Sequence, residues 1–130
     1  MVSVHLNVLY FFTGLFETAL LPGEIITAVK FPVPRTAGYA KFRQPASRFA
    51  LVGVFVAKTA SGVRVAVTGA RACVFRWTEA EAALGASYDA SVLDTVPLAA
   101  DTLNADIHAS AEYRAHCVRV MAKRAVVAAQ

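Results

Sequence analysis

At 130 residues, with 57% hydrophobic and 17% charged side chains, the chain suits one folded domain with one apolar core, which excludes a disordered chain. The formal charge of +4 comes from scattered Lys and Arg. The one cluster, Arg114, Arg119, Lys123 and Arg124, falls near a helix end, where cations offset the dipole, so no nucleic-acid partner is expected.

The apolar stretch from Leu6 to Leu21 lacks a basic leader and a small-residue cleavage site and is interrupted by Glu17, so it reads as neither export signal nor membrane span. A cytoplasmic location is expected. Phe11, Leu15 and Ala19 recur at a spacing of four, predicting a short amphipathic helix from Tyr10 to Leu20 that Pro22 and Gly23 stop. Glu24 to Phe31 then alternates as a strand. Ile25, Thr27, Val29 and Phe31 face one way; Glu24, Ile26, Ala28 and Lys30 face the other, where Ile26 is the only large apolar residue.

The prolines at 32 and 34 end that strand, and a turn through Gly38 leads to a second, Tyr39 to Gln44. Phe49 to Ala57 is apolar on both faces, as expected at a sheet centre. Ser61-Gly62 supplies a hairpin turn into Val63 to Thr68, and Ala72 to Arg76 forms a further short strand. Thr78-Glu79-Ala80-Glu81 matches a capping box opening a helix through Leu84 to Gly85. Tyr88 to Val96 is a weaker helical stretch. Ser110 caps a last helix to about Ala128, with Tyr113, Cys117 and Val120 on one stripe. The expected class is α+β: an antiparallel sheet of four to five strands packed against two to three C-terminal helices.

No catalytic constellation emerges from these residues. Asp106, His108, Ser110 and Glu112 crowd a helix start and point apart, which suits capping rather than a nucleophile–base chain. His116 and Cys117 are helix neighbours that cannot share a metal, and Cys73 and Cys117 read as small core residues in a reducing compartment. Gly53, Gly62 and Gly69 are isolated, without a phosphate-binding spacing. Two positions stay open. Ile26 reads as half-covered surface or an interface residue, and Arg43 as a solvated charge beside Tyr39.

Four blocks stand in the order of one family: "FFTGLFETALLPGEIITAVKFPVP", "YAKFRQPASRFALVGVFVAK", "VRVAVTGA" and "DIHASAEYRAHCVRVMAKRAV". They resemble the C-terminal domain of the flavoprotein (medium) subunits of molybdenum hydroxylases, the carbon monoxide dehydrogenase and xanthine dehydrogenase family. The likeness runs from about Tyr10 to Ala128, leaving residues 1–9 as an atypical start and residues 10–130 as the domain. It implies an oxidoreductase subunit whose FAD passes electrons from iron–sulfur clusters to an external acceptor. Its partners would be the FAD-binding domain, the iron–sulfur subunit and the molybdopterin subunit, with a second copy of this chain as a further candidate.

The resemblance places Ile26 against the flavin ring and makes the basic residue at Arg43 a second flavin contact. The family's two Gly-rich pyrophosphate loops have no counterpart in the sequence, so that half is expected on another polypeptide or lost by truncation. FAD binding by the chain alone is expected to be weak or absent. The alternative is a non-catalytic dimerisation or protein-interaction module built on the same domain.

Overall fold

The computed structural model describes residues 6–130. Its centre is a four-stranded antiparallel sheet in the order β3-β4-β5-β6, formed by β3 (Thr36–Arg43), β4 (Ala50–Thr59), β5 (Gly62–Thr68) and β6 (Phe75–Arg76). The inner face of β4 and β5 is a double row of valines, with Val54 opposite Val67 and Val56 opposite Val65. Branched side chains suit this pleated, fully covered position. Two helices close that face: α1 (Thr78–Ala86) contacts β5, while α2 (Ala111–Ala128) lies across β3 and β4. Trp77, 1% exposed, fills the space between sheet and helices and donates its indole N–H to the Pro97 carbonyl at 2.9 Å.

The β4–β5 hairpin turns where expected, and Gly62 takes φ +119, which only glycine adopts without strain. The last helix also starts as expected, since the Ser110 hydroxyl accepts the Tyr113 N–H at 3.2 Å. Its stripe is wider than three residues. Arg114, Cys117, Val118, Met121, Ala122, Ala125 and Val126 are buried, while Tyr113 sits at the margin, edge-on to Phe42.

Several sequence expectations require correction. The segment Tyr10 to Leu20 is not a helix. It makes a 3-10 turn at Val8–Tyr10, then a small hairpin of β1 (Phe12–Gly14) and β2 (Glu17–Thr18). Gly14 costs a helix interior about 1 kcal/mol, Thr13 and Thr18 favour extended backbone, and no surface covers the face a helix would offer.

Glu24 to Phe31 is not paired as a strand either. Every residue of it is exposed, and residues 25–34 carry no secondary structure and make no hydrogen bond. Alternation suits an extended chain, but a strand exists only with a ladder partner. The Tyr88 to Val96 stretch shortens to one 3-10 turn at Ala90–Asp94, capped by Asp89 accepting the Ser91 N–H at 2.7 Å.

The capping box is absent because its carboxylate is used elsewhere. Trp77 occupies the cap position without a side-chain bond, and Glu81 turns to the sheet. There it accepts the Val65 N–H at 3.0 Å and Arg76 Nε at 2.9 Å, is bonded by Arg76 Nη2, and has Arg64 at 4.0 Å. β6 pairs only with Ala66 and Val67, so Glu81 supplies an acceptor where that strand has ended.

Burial pushes the Glu81 carboxyl up. The Arg76 bonds, the Val65 N–H and both guanidinium charges outweigh this and hold it below the usual carboxylate range. A carboxylate depressed on folding contributes stability above its unfolded pKa, about 4.3, and loses it as pH falls through the lower folded value. Acid unfolding should therefore steepen below about pH 4.5. A Glu81→Gln chain should lose about 2 kcal/mol at pH 7 and show a flatter slope in that window, measured by urea titration at stepped pH. An unchanged slope would remove Glu81 from the account.

Candidate functional site

Both helices cover one side of the sheet, so the other side is open. It carries Tyr39, opposite Phe55, then Lys41 opposite Gly53, and Arg43 opposite Ala50 beyond a bulge at Phe42/Arg43. Tyr39 and Phe55 remain 51% and 42% exposed. Gly53, two residues before Phe55, lets the Tyr39 and Thr68 side chains lie over it: a Cβ there would stand 2.6 Å from the Tyr39 hydroxyl and 2.7 Å from Thr68 Oγ1. The open face thus carries two half-exposed aromatic side chains and two exposed cations.

Beside this body runs an arm, residues 6–34, in which apolar side chains point outward. Ile25, Val29, Phe31 and Val33 are each more than 60% exposed, and Ile26 is 54% exposed. Phe16, at the tip of the β1–β2 hairpin, is 98% exposed and holds φ +59, a left-handed conformation costing about 1–2 kcal/mol for an aromatic residue. Hairpin and body flank an open apolar groove of about 480 Å³, lined among others by Phe12, Phe16, Thr68, Cys73 and Val74. Of its lining only Cys73 stands out in the sequence, as a core residue, and reading the segment as a helix hides the hairpin tip.

Of the two candidate residues, Ile26 lies on the exposed arm and Arg43 at the end of β3, also exposed. No hydrogen bond or ion pair joins them, and Arg43 is free of ion pairs among the described residues. The other polar candidates serve the fold. Asp106 Oδ1 accepts the His108 and Ala109 N–H groups, and its Oδ2 accepts from Arg114 Nη2 at 2.7 Å. Those N–H bonds, then the Arg114 contact, hold the Asp106 carboxyl below the usual range despite some desolvation. Arg119 donates to the Leu93 and Val96 carbonyls, and Lys123 pairs with Asp94 at 2.7 Å. Three of the four clustered cations are thus spent internally. Cys117 is buried in the core as expected, and Cys73 is half-buried at the groove. Among the described residues no three metal-ligating side chains converge, and no helix is long and apolar enough to cross a membrane.

Fold and surface together define an α+β domain with an uncovered sheet face and an exposed apolar arm. Comparison with known proteins finds similarity to two medium subunits. The chain is 32% identical over 129 residues to the carbon monoxide dehydrogenase medium chain of Afipia carboxidovorans, across 89% of this chain and 44% of that protein. It is 33% identical over 128 residues to the nicotine 6-hydroxylase medium subunit of Paenarthrobacter nicotinovorans, across 91% of this chain and 45% of that one. The chain spans less than half the length of these curated relatives. No family model and no solved structure matches it.

Proposed function

We propose that this chain is the C-terminal domain of the FAD-binding medium subunit of a molybdenum hydroxylase, flanking the flavin ring and docking to partner subunits for electron transfer. The observation that carries this is similarity along about nine-tenths of the chain to medium subunits of two such redox enzymes. The residues fit one part of the cofactor. The open face offers Arg43 with the Tyr39–Phe55 pair, and the arm offers Ile26, whereas the glycines of the described residues are isolated and build no phosphate cradle. When bound, the flavin supplies two-electron and one-electron redox chemistry.

In this reading Ile26 excludes water from the ring, and Arg43 places a fixed positive charge near it. A cation there favours the electron-rich reduced form by Coulomb attraction in a partly dry site. In the complete subunit, Arg43→Ala should make the flavin potential roughly 20–30 mV more negative, read by redox titration. Unchanged affinity and potential would remove Arg43 from the site. The exposed arm also favours a second reading, a non-catalytic dimerisation or interaction module. For that module the Arg43 substitution would alter assembly alone.

A further inference from the structure

The segment from Glu24 to Lys30 reads Glu-Ile-Ile-Thr-Ala-Val-Lys and lies between prolines at 22 and 32. It is exposed throughout and alternates as a strand, yet among the described residues its backbone from 25 onward makes no hydrogen bond. Extended backbone with free donors and acceptors is a template for another strand. The order of its side chains selects which one.

Set antiparallel to itself about Thr27, the segment is self-complementary. Glu24 falls opposite Lys30 of the second copy, Ile25 opposite Val29, Ile26 opposite Ala28 and Thr27 opposite Thr27. Opposite charges, branched apolar pairs and paired threonines are all favoured at directly opposed positions. In the same register Pro22 meets Pro32, and since proline cannot donate to a ladder, both strands stop together at both ends. A shift of two residues either way sets a proline against one of the charges and Ile26 or Ala28 against the other. Parallel pairing in register sets Glu24 against Glu24 and Lys30 against Lys30, which repel.

We propose that residues 24–30 form a two-stranded antiparallel ribbon with the same segment of a second copy, about a two-fold axis at Thr27, and so make this chain a homodimer. A Glu24–Lys30 pair closes each end of the ribbon. Lys30 has no ion pair among the described residues, and Glu24, whose Oε2 accepts the Leu21 N–H at 2.8 Å, keeps Oε1 for it. Ile25, Val29 and Phe31 of both copies come onto one face of the ribbon, and Ile26 of both onto the other. A ribbon of two strands is marginal by itself, so a dissociation constant of about 10–100 µM is expected. The contact uses no flavin and does not rest on the medium-subunit reading, so its failure would leave that reading standing.

Sedimentation equilibrium of the full chain and its charge variants tests the ribbon. The unaltered chain should pass from monomer to dimer across that concentration range. Lys30→Glu and Glu24→Lys each set like charges together at both ends, and each should weaken the dimer by about tenfold. Mixing the two variants restores both opposite-charge pairs, so a heterodimer should form with close to the original affinity. The double variant E24K/K30E, in which the charges trade places, should recover its homodimer in the same way. A chain that stays monomeric up to about 0.5 mM overturns the proposal. So does a dimer that the single variants leave unchanged, or one that neither the mixture nor the double variant restores, since the contact would then lie on another surface such as the β3 margin.

Discussion

Replacing Arg114 with Ala should remove about 3–5 kcal/mol of folding stability, enough to leave a domain of this size near its unfolding threshold. Arg114 is 3% exposed in the first turns of α2. Its Nη1 donates to the Leu51 carbonyl at 2.9 Å and the Gly69 carbonyl at 3.1 Å, and its Nη2 bonds Asp106. One side chain thus ties the last helix to the central strand, to the turn after β5 and to the Asp106 turn. Alanine would remove the donor from the buried Leu51 carbonyl and from the part-buried Gly69 carbonyl, leave a carboxylate without its cation, and open a void the length of the side chain. Arg114→Lys keeps the charge, but a single ammonium cannot span acceptors on three elements, so about 2 kcal/mol should still be lost. Urea denaturation measures both: the midpoint should fall with the slope unchanged. A loss below about 1 kcal/mol for Arg114→Ala would mean water replaces the guanidinium, as at an ordinary surface pair.

The second large effect reverses what local propensity suggests. Alanine is preferred to glycine in ordered backbone, so Gly38→Ala on β3 should stabilise by a few tenths of a kcal/mol if propensity ruled. A Cβ at Gly38, however, would stand 2.1 Å from the Ala125 carbonyl oxygen and 2.9 Å from the Ala129 nitrogen. Both are main-chain atoms of α2 and its cap, so sheet and helix must separate along their packed length. The expected cost is about 3 kcal/mol. Gly53→Ala is the matched comparison on the opposite face. Its close atoms are the ends of the Tyr39 and Thr68 side chains, which can rotate into solvent, so it should cost less than about 1 kcal/mol. Equal losses at the two positions would refute the close approach of α2.

Legibility in the sequence followed how locally each feature is determined. The β4–β5 hairpin was readable because Ser61-Gly62 sits between alternating valines, and α2 because Ser110 precedes an uninterrupted apolar stripe. Both signals lie within a few residues of the element they specify. Glu81 was misread because its partners, Arg76 and the Val65 N–H, come together only when β5, β6 and α1 have packed. Arg114 reads in the sequence as one of four cations near a helix end for the same reason, since its acceptors are up to 63 residues away. At Phe11, Leu15 and Ala19 a spacing of four was present without any surface to reward it. Alternation set Ile26 apart from Ile25, Val29 and Phe31, yet all four are exposed, because the segment has no ladder partner among the described residues to cover either face.

The two edges of the sheet differ in length and in what occupies them. At β6 the ladder stops after two residue pairs, the chain passes at once into α1, and Glu81 with its two arginines takes up the next donor of β5. Among the described residues, β3 is the edge that presents a full-length strand margin. A protein with two open margins can recruit copies at both ends and grow into a fibre, whereas one with a single margin can accept one neighbour and stop. The carboxylate that ends the sheet therefore also limits its polymerisation, and Glu81→Ala should be sought among aggregating variants as well as unstable ones.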